Sequence, residues 1–310
     1  MLDILIIIVC AMLAFVLALL FYGERGVTIL PSSKRALREY GLWKILDLTV
    51  LRAYIYARFI HQYLNIGINF IMPHIGSRGR KWIFDHYHGK VLTHEHAHAI
   101  IRNKKEIPLQ DLEQIIPYPV ARKLVLKASP DIVVTECACR LVRKNPCKPT
   151  QVCMTIGKPV TDFVLEHHPE KSRRLTQAEA LKLLEEEYKR GHVHTAWFKD
   201  VILDRFFVMC NCCKCCCGGI EAMVKHGAPA LASSGYVAKV KRDLCIGCGT
   251  CANVCPFGAI KIENGKAIIN WDKCMGCGVC EAKCPNKAVS LIRDEKKGIP
   301  LDILALAKKK

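Results

Sequence analysis

Several signatures of catalysis are absent from the 310 residues of this chain. It contains no Walker A loop, no G-x-G-x-x-G after a strand, no G-x-S-x-G elbow and no C-x-x-x-C-x-x-C triad of the radical-SAM type. Nothing in the sequence therefore marks phosphoryl transfer, dinucleotide binding, serine hydrolysis or radical chemistry.

Acidic residues are also scarce. The chain has 28 of them against 46 lysines and arginines, which gives a formal net charge of +18. Such an excess favours an anionic partner, which could be nucleic acid, an acidic membrane surface or an acidic redox protein. A basic motif interleaved with aromatic residues, as nucleic-acid binding needs, is missing. We therefore expect no nucleic-acid partner.

Cysteine, by contrast, is far more frequent than in ordinary globular chains, with 19 residues. Near the C-terminus stand two copies of C-x-x-C-x-x-C-x-x-x-C-P, 29 residues apart. Their cysteines are Cys245, Cys248, Cys251 and Cys255 in the first copy, and Cys274, Cys277, Cys280 and Cys284 in the second. This is the bacterial spacing for iron–sulfur ligation, in which three thiolates wrap one cubane and the fourth crosses to the other. The repeat predicts two [4Fe-4S] clusters and an electron-carrying role.

The repeat extends beyond its cysteines. Asp243 and Asp272 both stand two residues before the first thiol of their copy. A short segment of alternating apolar residues follows each Cys-Pro pair, which predicts a strand after each cluster loop. Between the copies, Asn264-Gly265 is the dipeptide that best fits a type I′ hairpin turn. This pattern predicts a small module with pseudo-two-fold symmetry.

From about Tyr236 to Ile292 the chain resembles the bacterial dicluster ferredoxins. The resemblance implies that Cys245, Cys248, Cys251 and Cys284 hold one cluster, and that Cys274, Cys277, Cys280 and Cys255 hold the other. Zinc is an alternative because C-x-x-C pairs also form tetrahedral sites, but zinc ribbons use two cysteines in each half where this repeat has four. A disulfide framework is disfavoured by the odd cysteine total and the metal-like repeat.

Residues 1–23 predict a transmembrane anchor. Ile4 to Tyr22 is apolar without interruption, and at about 1.5 Å per residue it covers ~28 Å, close to the ~30 Å hydrocarbon core of a bilayer. A cleaved signal peptide is the alternative, but a basic n-region and a small-residue cleavage site are missing. Basic residues follow the span, so the positive-inside rule places the rest of the chain in the cytoplasm. We expect a single-pass protein of the cell membrane, with its cluster domains on the cytoplasmic side.

Residues 24–79 predict a juxtamembrane helical segment. From Leu42 to Tyr63 the charged residues fall within one arc of a helix whose remaining surface is apolar and aromatic. This amphipathic helix either lies in the membrane interface or packs against the core of the protein itself.

Residues 80–235 carry ten further cysteines in two groups, too densely for an apolar core. We predict at least one additional iron–sulfur site among them, with zinc as the alternative. Its expected ligands are Cys137, Cys139, Cys147, Cys153, Cys210, Cys212, Cys213, Cys215 and Cys216. For a single member such as Cys153 or Cys217, a buried structural cysteine is the alternative.

Two histidines follow a predicted helix in the same region. Thr176 and Glu179 form a capping box that opens an amphipathic helix, and Gly191 ends it. His192 and His194 come next and could ligate iron or lie near a substrate. Histidines at such positions more often form plain hydrogen bonds.

A histidine cluster lies further upstream. His94 and His98 share one face of a helix that Thr93 caps. No third ligand stands at a fixed spacing from them, so a solvated helix is favoured over a metal site.

From about Lys90 to the C-terminus, the Glu136–Arg140 element, the later cysteine run and the terminal repeat together resemble multicluster iron–sulfur electron-transfer proteins of anaerobic prokaryotes. The resemblance implies extra clusters upstream but no substrate. We expect a carrier that passes single electrons between redox protein partners. The alternative is an electron-transfer or catalytic subunit of a larger oxidoreductase, with a non-standard cluster at Cys210–Cys217.

The expected fold class is α+β with three parts. These are an N-terminal transmembrane helix, a mainly helical cysteine-rich domain at 80–235, and a dicluster ferredoxin-like module at 236–292 that ends in a basic tail at 293–310.

Overall fold

The computed structural model describes residues 21–25, 29–40, 48–103, 107–109, 124–126, 131–199 and 205–308, with scattered positions before residue 19. The strands are β1 Tyr87–Val91, β2 Ile107–Leu109, β3 Leu124–Leu126, β4 Ile132–Glu136, β5 Gln151–Ile156, β6 Ser172–Leu175, β7 Val193–Lys199, β8 Arg205–Cys212, β9 Leu231–Ala232, β10 Tyr236–Val240, β11 Ile260–Glu263, β12 Lys266–Ile269 and β13 Val289–Arg293.

Helices connect and cover these strands. They are α1 Pro31–Tyr40, α2 Leu48–Arg58, α3 Ile60–Ile66, α4 Met72–His74, α5 Ser77–His86, α6 His94–Arg102, α7 Ala138–Leu141, α8 Val160–His167, α9 Gln177–Arg190, α10 Gly218–His226, α11 Thr250–Val254, α12 Val279–Lys283 and α13 Ile303–Lys308. A π-helical turn, Gly67–Ile71, joins α3 to α4, and a 3₁₀ turn spans Glu295–Lys297.

A seven-stranded sheet dominates the middle of the chain, in the order β6-β4-β5-β8-β7-β1-β9. Its neighbours pair antiparallel, apart from the parallel pair β1 and β9. One face packs against α6 and α9 through residues such as Ile100 and Leu184. The opposite face belongs to a second core that includes Tyr56 and Trp197 and continues into the C-terminal module. The sheet is therefore covered on both faces.

The sheet and the helices correct two predictions. The middle of the chain is not mainly helical, because residues 87 to 232 supply all seven strands of the large sheet. The predicted transmembrane anchor at 1–23, and with it the single-pass membrane localisation, is contradicted. Within the described part of the chain, no helix combines the length and the apolar character that crossing a membrane requires. Most of residues 1–20 lie outside the described residues.

Two local predictions are confirmed. Helix α9 begins after a complete capping box, in which Thr176 and Glu179 bond each other's backbone N–H groups, and it ends at Gly191 in the left-handed conformation. Strands β11 and β12 form a hairpin around Asn264 and Gly265, with φ values of 49° and 70°. Both φ values are positive, as a type I′ turn requires.

The C-terminal module repeats one pattern twice. Strand β10 pairs with β13, and β11 pairs with β12, both antiparallel. Gly249 and Gly278 precede α11 and α12 with the same φ of 79°. Each short helix thus begins at the same point of its cysteine motif, which gives the module its pseudo-two-fold symmetry.

Of the predicted amphipathic helix Leu42–Tyr63, residues 42–47 lie outside the described residues. The remainder forms α2 and the start of α3. Ala53 and Tyr56 of α2 are buried in the protein's own core. The part of this segment that the structure describes therefore packs against the protein, as one of the two alternatives expected.

Candidate functional site

Three thiols of the first repeat and one thiol of the second surround a cavity in the C-terminal module. Cys245, Cys248 and Cys251 line it together with Cys284. Its walls include Ala267 on β12 and Val289 on β13, so strands from both halves of the module shape it.

A second cavity is the pseudo-symmetric counterpart of the first. Cys274, Cys277 and Cys280 line it together with Cys255 from the first repeat. The two cavities have the same volume, ≈ 20 Å³ each. The equality of the volumes and the exchange of the fourth cysteine match the crossed arrangement that the repeat predicts.

Backbone N–H groups point at the sulfurs of both cavities in matched pairs. Ala259 N donates to Cys255 Sγ at 3.3 Å, and Ala288 N donates to Cys284 Sγ at 3.2 Å. Likewise Ala267 N donates to Cys245 Sγ and Ala238 N to Cys274 Sγ, both at 3.4 Å. Such donors stabilise negative charge on sulfur and tune the potential of a bound cluster. The residues present therefore fit two thiolate-ligated clusters.

The two cavities differ in exposure. Cys248 is exposed, and a hydrogen bond with the Thr250 hydroxyl lowers the pKa of its thiol. The adjoining Ile246 side chain is 68% exposed. In the second cavity, burial raises the pKa of Cys277 to about 12. We call the Cys248 cavity the outer cavity and the Cys277 cavity the inner cavity.

Glycine is required where each loop passes its neighbour. A Cβ on Gly247 would lie 2.3 Å from the carbonyl oxygen of Gly265, and one on Gly276 would lie 2.2 Å from that of Tyr236. Both glycines have positive φ. Since the obstacle in each case is backbone, no side chain can be added without moving the loop.

The inner cavity borders the large sheet's helices. Lys283 Nζ donates to the Lys189 carbonyl at the end of α9. The side chain of Tyr188, also on α9, lies near Cys277 and Cys280 of the inner cavity. Near α11, Lys214 Nζ donates to the Asn253 carbonyl at 3.0 Å. The cysteine run at 210–217 therefore lies next to the module.

The upstream cysteines do not group as they follow one another in the sequence. Four of them, Cys147, Cys213, Cys215 and Cys216, form one set. The sulfurs of Cys147, Cys213 and Cys215 lie within 4.8 Å of one another, and Cys216 Sγ is 3.5 Å from Cys215 Sγ. We call this the four-thiol set; it combines one cysteine of the first sequence group with three of the second.

The other six thiols all line one cavity. Each interacts with two others of the set, in the order Cys137, Cys139, Cys217, Cys212, Cys210, Cys153 and back to Cys137. We call this set the six-thiol ring. Cys217 was not among the predicted ligands, because its position at the end of a cysteine run says nothing about which strands lie beside it.

An apolar cavity of ≈ 610 Å³ adjoins the ring. All six ring cysteines line it, opposite side chains of α2, α3 and α5 such as Tyr56, Leu64 and Trp82. Lys199 Nζ lies over the rings of Tyr56 and Tyr87 at 4.7 and 5.1 Å from their centroids. The cavity can accommodate an apolar small molecule against the sulfurs.

The two histidines after α9 have different roles. His192 lies beside the four-thiol set, with Nε2 3.8 Å from Cys147 Sγ, while its Nδ1 is 2.6 Å from a carboxylate oxygen of the buried Glu187. His194 is buried away from the thiols, and burial lowers its pKa to about 3. Its Nδ1 bonds the side-chain oxygen of Asn211 at 2.6 Å.

The upstream histidines gain a partner that the sequence did not reveal. Thr93 caps α6 as predicted. The ligand atoms of His94 and His98 lie within 4.8 Å of one from Glu185, which α9 supplies. His96 on the same helix is buried, so the solvated-helix interpretation is wrong for the face of α6 that carries His96. A contact between α6 and α9 cannot be deduced from spacing within either helix.

Comparison with known proteins identifies the module. Residues 238–285 match the family model for the 4Fe-4S dicluster domain. Over 34 residues the chain is 50% identical to Ferredoxin-2 of Desulfomicrobium norvegicum, a match that covers 11% of this chain and 58% of that protein. The chain thus spans little more than half the length of this curated relative. These matches give the chain a 4Fe-4S dicluster ferredoxin domain and support an iron–sulfur electron-transfer role.

Proposed function

We propose that this protein carries single electrons through two [4Fe-4S] clusters in the C-terminal module towards further metal centres in the cysteine-rich domain at 80–235. One observation carries the proposal: two equivalent cavities, each lined by three thiols of one repeat and one thiol of the other. The clusters supply the one-electron chemistry when they are bound. Cys245, Cys248, Cys251 and Cys284 would hold the outer one, and Cys274, Cys277, Cys280 and Cys255 the inner one.

The two cavities at the ends of the proposed electron-transfer route have different surroundings. The outer cavity has exposed apolar side chains beside it, Leu244 and Ile246. Such a patch suits a transient contact with a redox partner protein. The inner cavity lies beside Tyr188, which packs between the module and the histidines of α6. We propose that electrons exchange with partners at the outer cavity and with the rest of the chain at the inner one.

The four-thiol set is the proposed next centre. Three sulfurs within 4.8 Å of one another, with a fourth close by, suit a single tetrahedral ion. Thiolates bind both iron and zinc, so the alternative that the sequence left open persists at this set. Lys214, inside the same cysteine run, contacts α11 of the module. A centre here would therefore lie next to the module.

Replacing Cys255 and Cys284, the two cysteines that cross to the other repeat's cavity, tests the proposed ligation. In anaerobically purified protein, Cys284→Ser should alter the EPR signal of the outer cluster, and Cys255→Ser that of the inner cluster. Cys10→Ser is the matched control, because Cys10 is exposed and lies outside every thiol set described above. If Cys284→Ser and Cys255→Ser leave both cluster signals unchanged, the crossed ligation is refuted.

A second candidate function rests on the apolar cavity. A space of ≈ 610 Å³ against six thiols suits an oxidoreductase that acts on an apolar small molecule. This candidate predicts that reconstituted protein, given a chemical reductant, turns over such a molecule without a protein partner. If the protein, with its clusters reduced and intact, turns over no acceptor in a panel of apolar electron acceptors, this candidate is excluded. Electron transfer then remains the one proposed function.

A further inference from the structure

We propose that the six-thiol ring is the ligand set of one polynuclear iron–sulfur centre, separate from the four-thiol set and from the two cavities of the module. It deepens the proposed electron-carrier function by adding a centre at the far end of the route. Its ligands are Cys137, Cys139, Cys217, Cys212, Cys210 and Cys153.

Regular secondary structure places these thiols. Cys153 lies on β5, and Cys210 and Cys212 lie on β8, the next strand of the sheet. Cys210 and Cys212 are two residues apart, so their side chains share one face of the sheet. Cys137 follows β4, the other neighbour of β5, and Cys217 directly precedes α10. The ring is therefore held by a rigid scaffold rather than by a loop.

Two glycines bring α10 close to the ring. A Cβ on Gly218 would lie 2.6 Å from Ile68 Cδ1, and one on Gly219 would lie 2.5 Å from the Trp197 ring. The same hypothetical atoms would stand 3.8 Å from the sulfurs of Cys139 and Cys217 respectively. Larger residues would displace the helix whose start carries Cys217.

The spacing of the sulfurs distinguishes this ring from a mononuclear site. In the described residues, the only group of three cysteine sulfurs mutually within 4.8 Å is Cys147, Cys213 and Cys215, and no ring member belongs to it. No three of the six ring sulfurs lie within 4.8 Å of one another, so no three of them are placed to share one ion. Thiolates of an iron–sulfur cluster each bind a different iron, so they stand farther apart than ligands that share one ion.

The surroundings leave room for an inorganic core. All six thiols border the same cavity of ≈ 610 Å³. Ordinary buried cysteines behave as small apolar side chains and pack against carbon atoms. A ring in which every thiol has two thiol neighbours, next to open space, does not fit that role.

Charge also favours a metal core. Six thiolates would bring a large negative charge to a site whose nearby cations include Arg143, which acts on Cys139, and Arg140, which acts on Cys137. Arg140 is already paired with Glu187 at 3.1 Å. Iron ions in the ring would balance the remaining charge, since a buried charge is costly without a partner.

The test uses two thiols on opposite sides of the ring. Full-length protein is reconstituted anaerobically with ferrous iron and sulfide, and its iron content, EPR and Mössbauer spectra are recorded. Cys153→Ser and Cys217→Ser should both diminish the same spectral component and lower the iron content. Cys10→Ser, at a position outside every thiol set, should preserve both that component and the iron content.

The module reports on folding in every sample. Its dicluster EPR signal should survive in Cys153→Ser and Cys217→Ser, which separates loss of the ring centre from loss of the fold. Loss of different components in the two variants would show two separate centres and overturn the proposal. Unchanged iron and spectra in both variants, or six ring cysteines recovered as disulfides from anaerobic protein, would also overturn it. Absence of the dicluster signal from the wild type would instead refute the proposed function.

Discussion

Lys90 is among the largest side chains that the sheet buries completely, and its charge links folding to pH. Burial, with repulsion from Arg293, lowers the pKa of its ammonium group to about 7. The unfolded chain therefore binds a proton that the folded chain does not between about pH 7 and pH 10, so stability rises with pH over that window. We expect Lys90→Met to remove much of this rise in the free energy of unfolding, measured by anaerobic urea titration.

Exposed Lys239 provides the control for this measurement. Lys239→Met should leave the pH dependence as it is in the wild type. An equally steep rise in Lys90→Met would mean that other groups cause it.

The candidate ligands illustrate how far single residues can be assigned from sequence. The eight cysteines of the repeat were predicted because all ligands of a local loop stand at fixed spacing. The grouping of the ten upstream cysteines was not, since Cys137, Cys153 and Cys212 meet only after β4, β5 and β8 pair in the sheet. Cys217 was missed for the same reason, and Glu185 because α9 brings it to α6.

At the scale of elements, the cluster loops depend on glycines that a sequence pattern alone cannot rank. Gly247 and Gly249 both have positive φ, but a Cβ on Gly249 would meet nothing within 4 Å. We expect Gly249→Ala to cost about 1–2 kcal/mol from the left-handed backbone alone. Gly247→Ala should be worse, because its methyl group would strike the Gly265 carbonyl. Anaerobic loss of cluster absorbance in denaturant measures both.

Equal rates of cluster loss in Gly247→Ala and Gly249→Ala would contradict this account of the loop. The pair is matched because both substitutions add the same methyl group to a left-handed glycine of the same repeat.

Elements with local signals were predicted, and elements without them were not. The capping box of α9 and the Asn264-Gly265 hairpin each depend on residues only a few positions apart in the chain. The large sheet was missed because β7 is buried along its whole length and β5 almost so, which removes the alternation that marks a strand. Cysteines and histidines in β7 and β8 further obscured the apolar pattern.

On the scale of the whole molecule, the outer cavity is where we expect partners to bind. Ile246 is 68% exposed beside Cys248. Ile246→Asp should slow electron transfer from a protein donor, because it places a charge in an apolar contact, while iron content stays constant. Stopped-flow reduction of the clusters measures the rate.

Val224→Asp is the surface control, since Val224 is 53% exposed on α10, outside the module. A similar loss of rate in both variants would indicate a general effect of charge rather than docking at the outer cavity. Reduction by a small chemical reductant should remain unaffected in either protein.

We propose that electrons pass from the module into the cysteine-rich domain. Metal and acid-labile sulfide per chain, determined on anaerobically purified full-length protein, test it most directly. Two [4Fe-4S] clusters account for about eight irons, so we predict clearly more than about eight irons, with sulfide in excess of the amount that two cubanes contain. About eight irons, with no further iron or zinc, would confine the metal chemistry to the C-terminal module and contradict the claim.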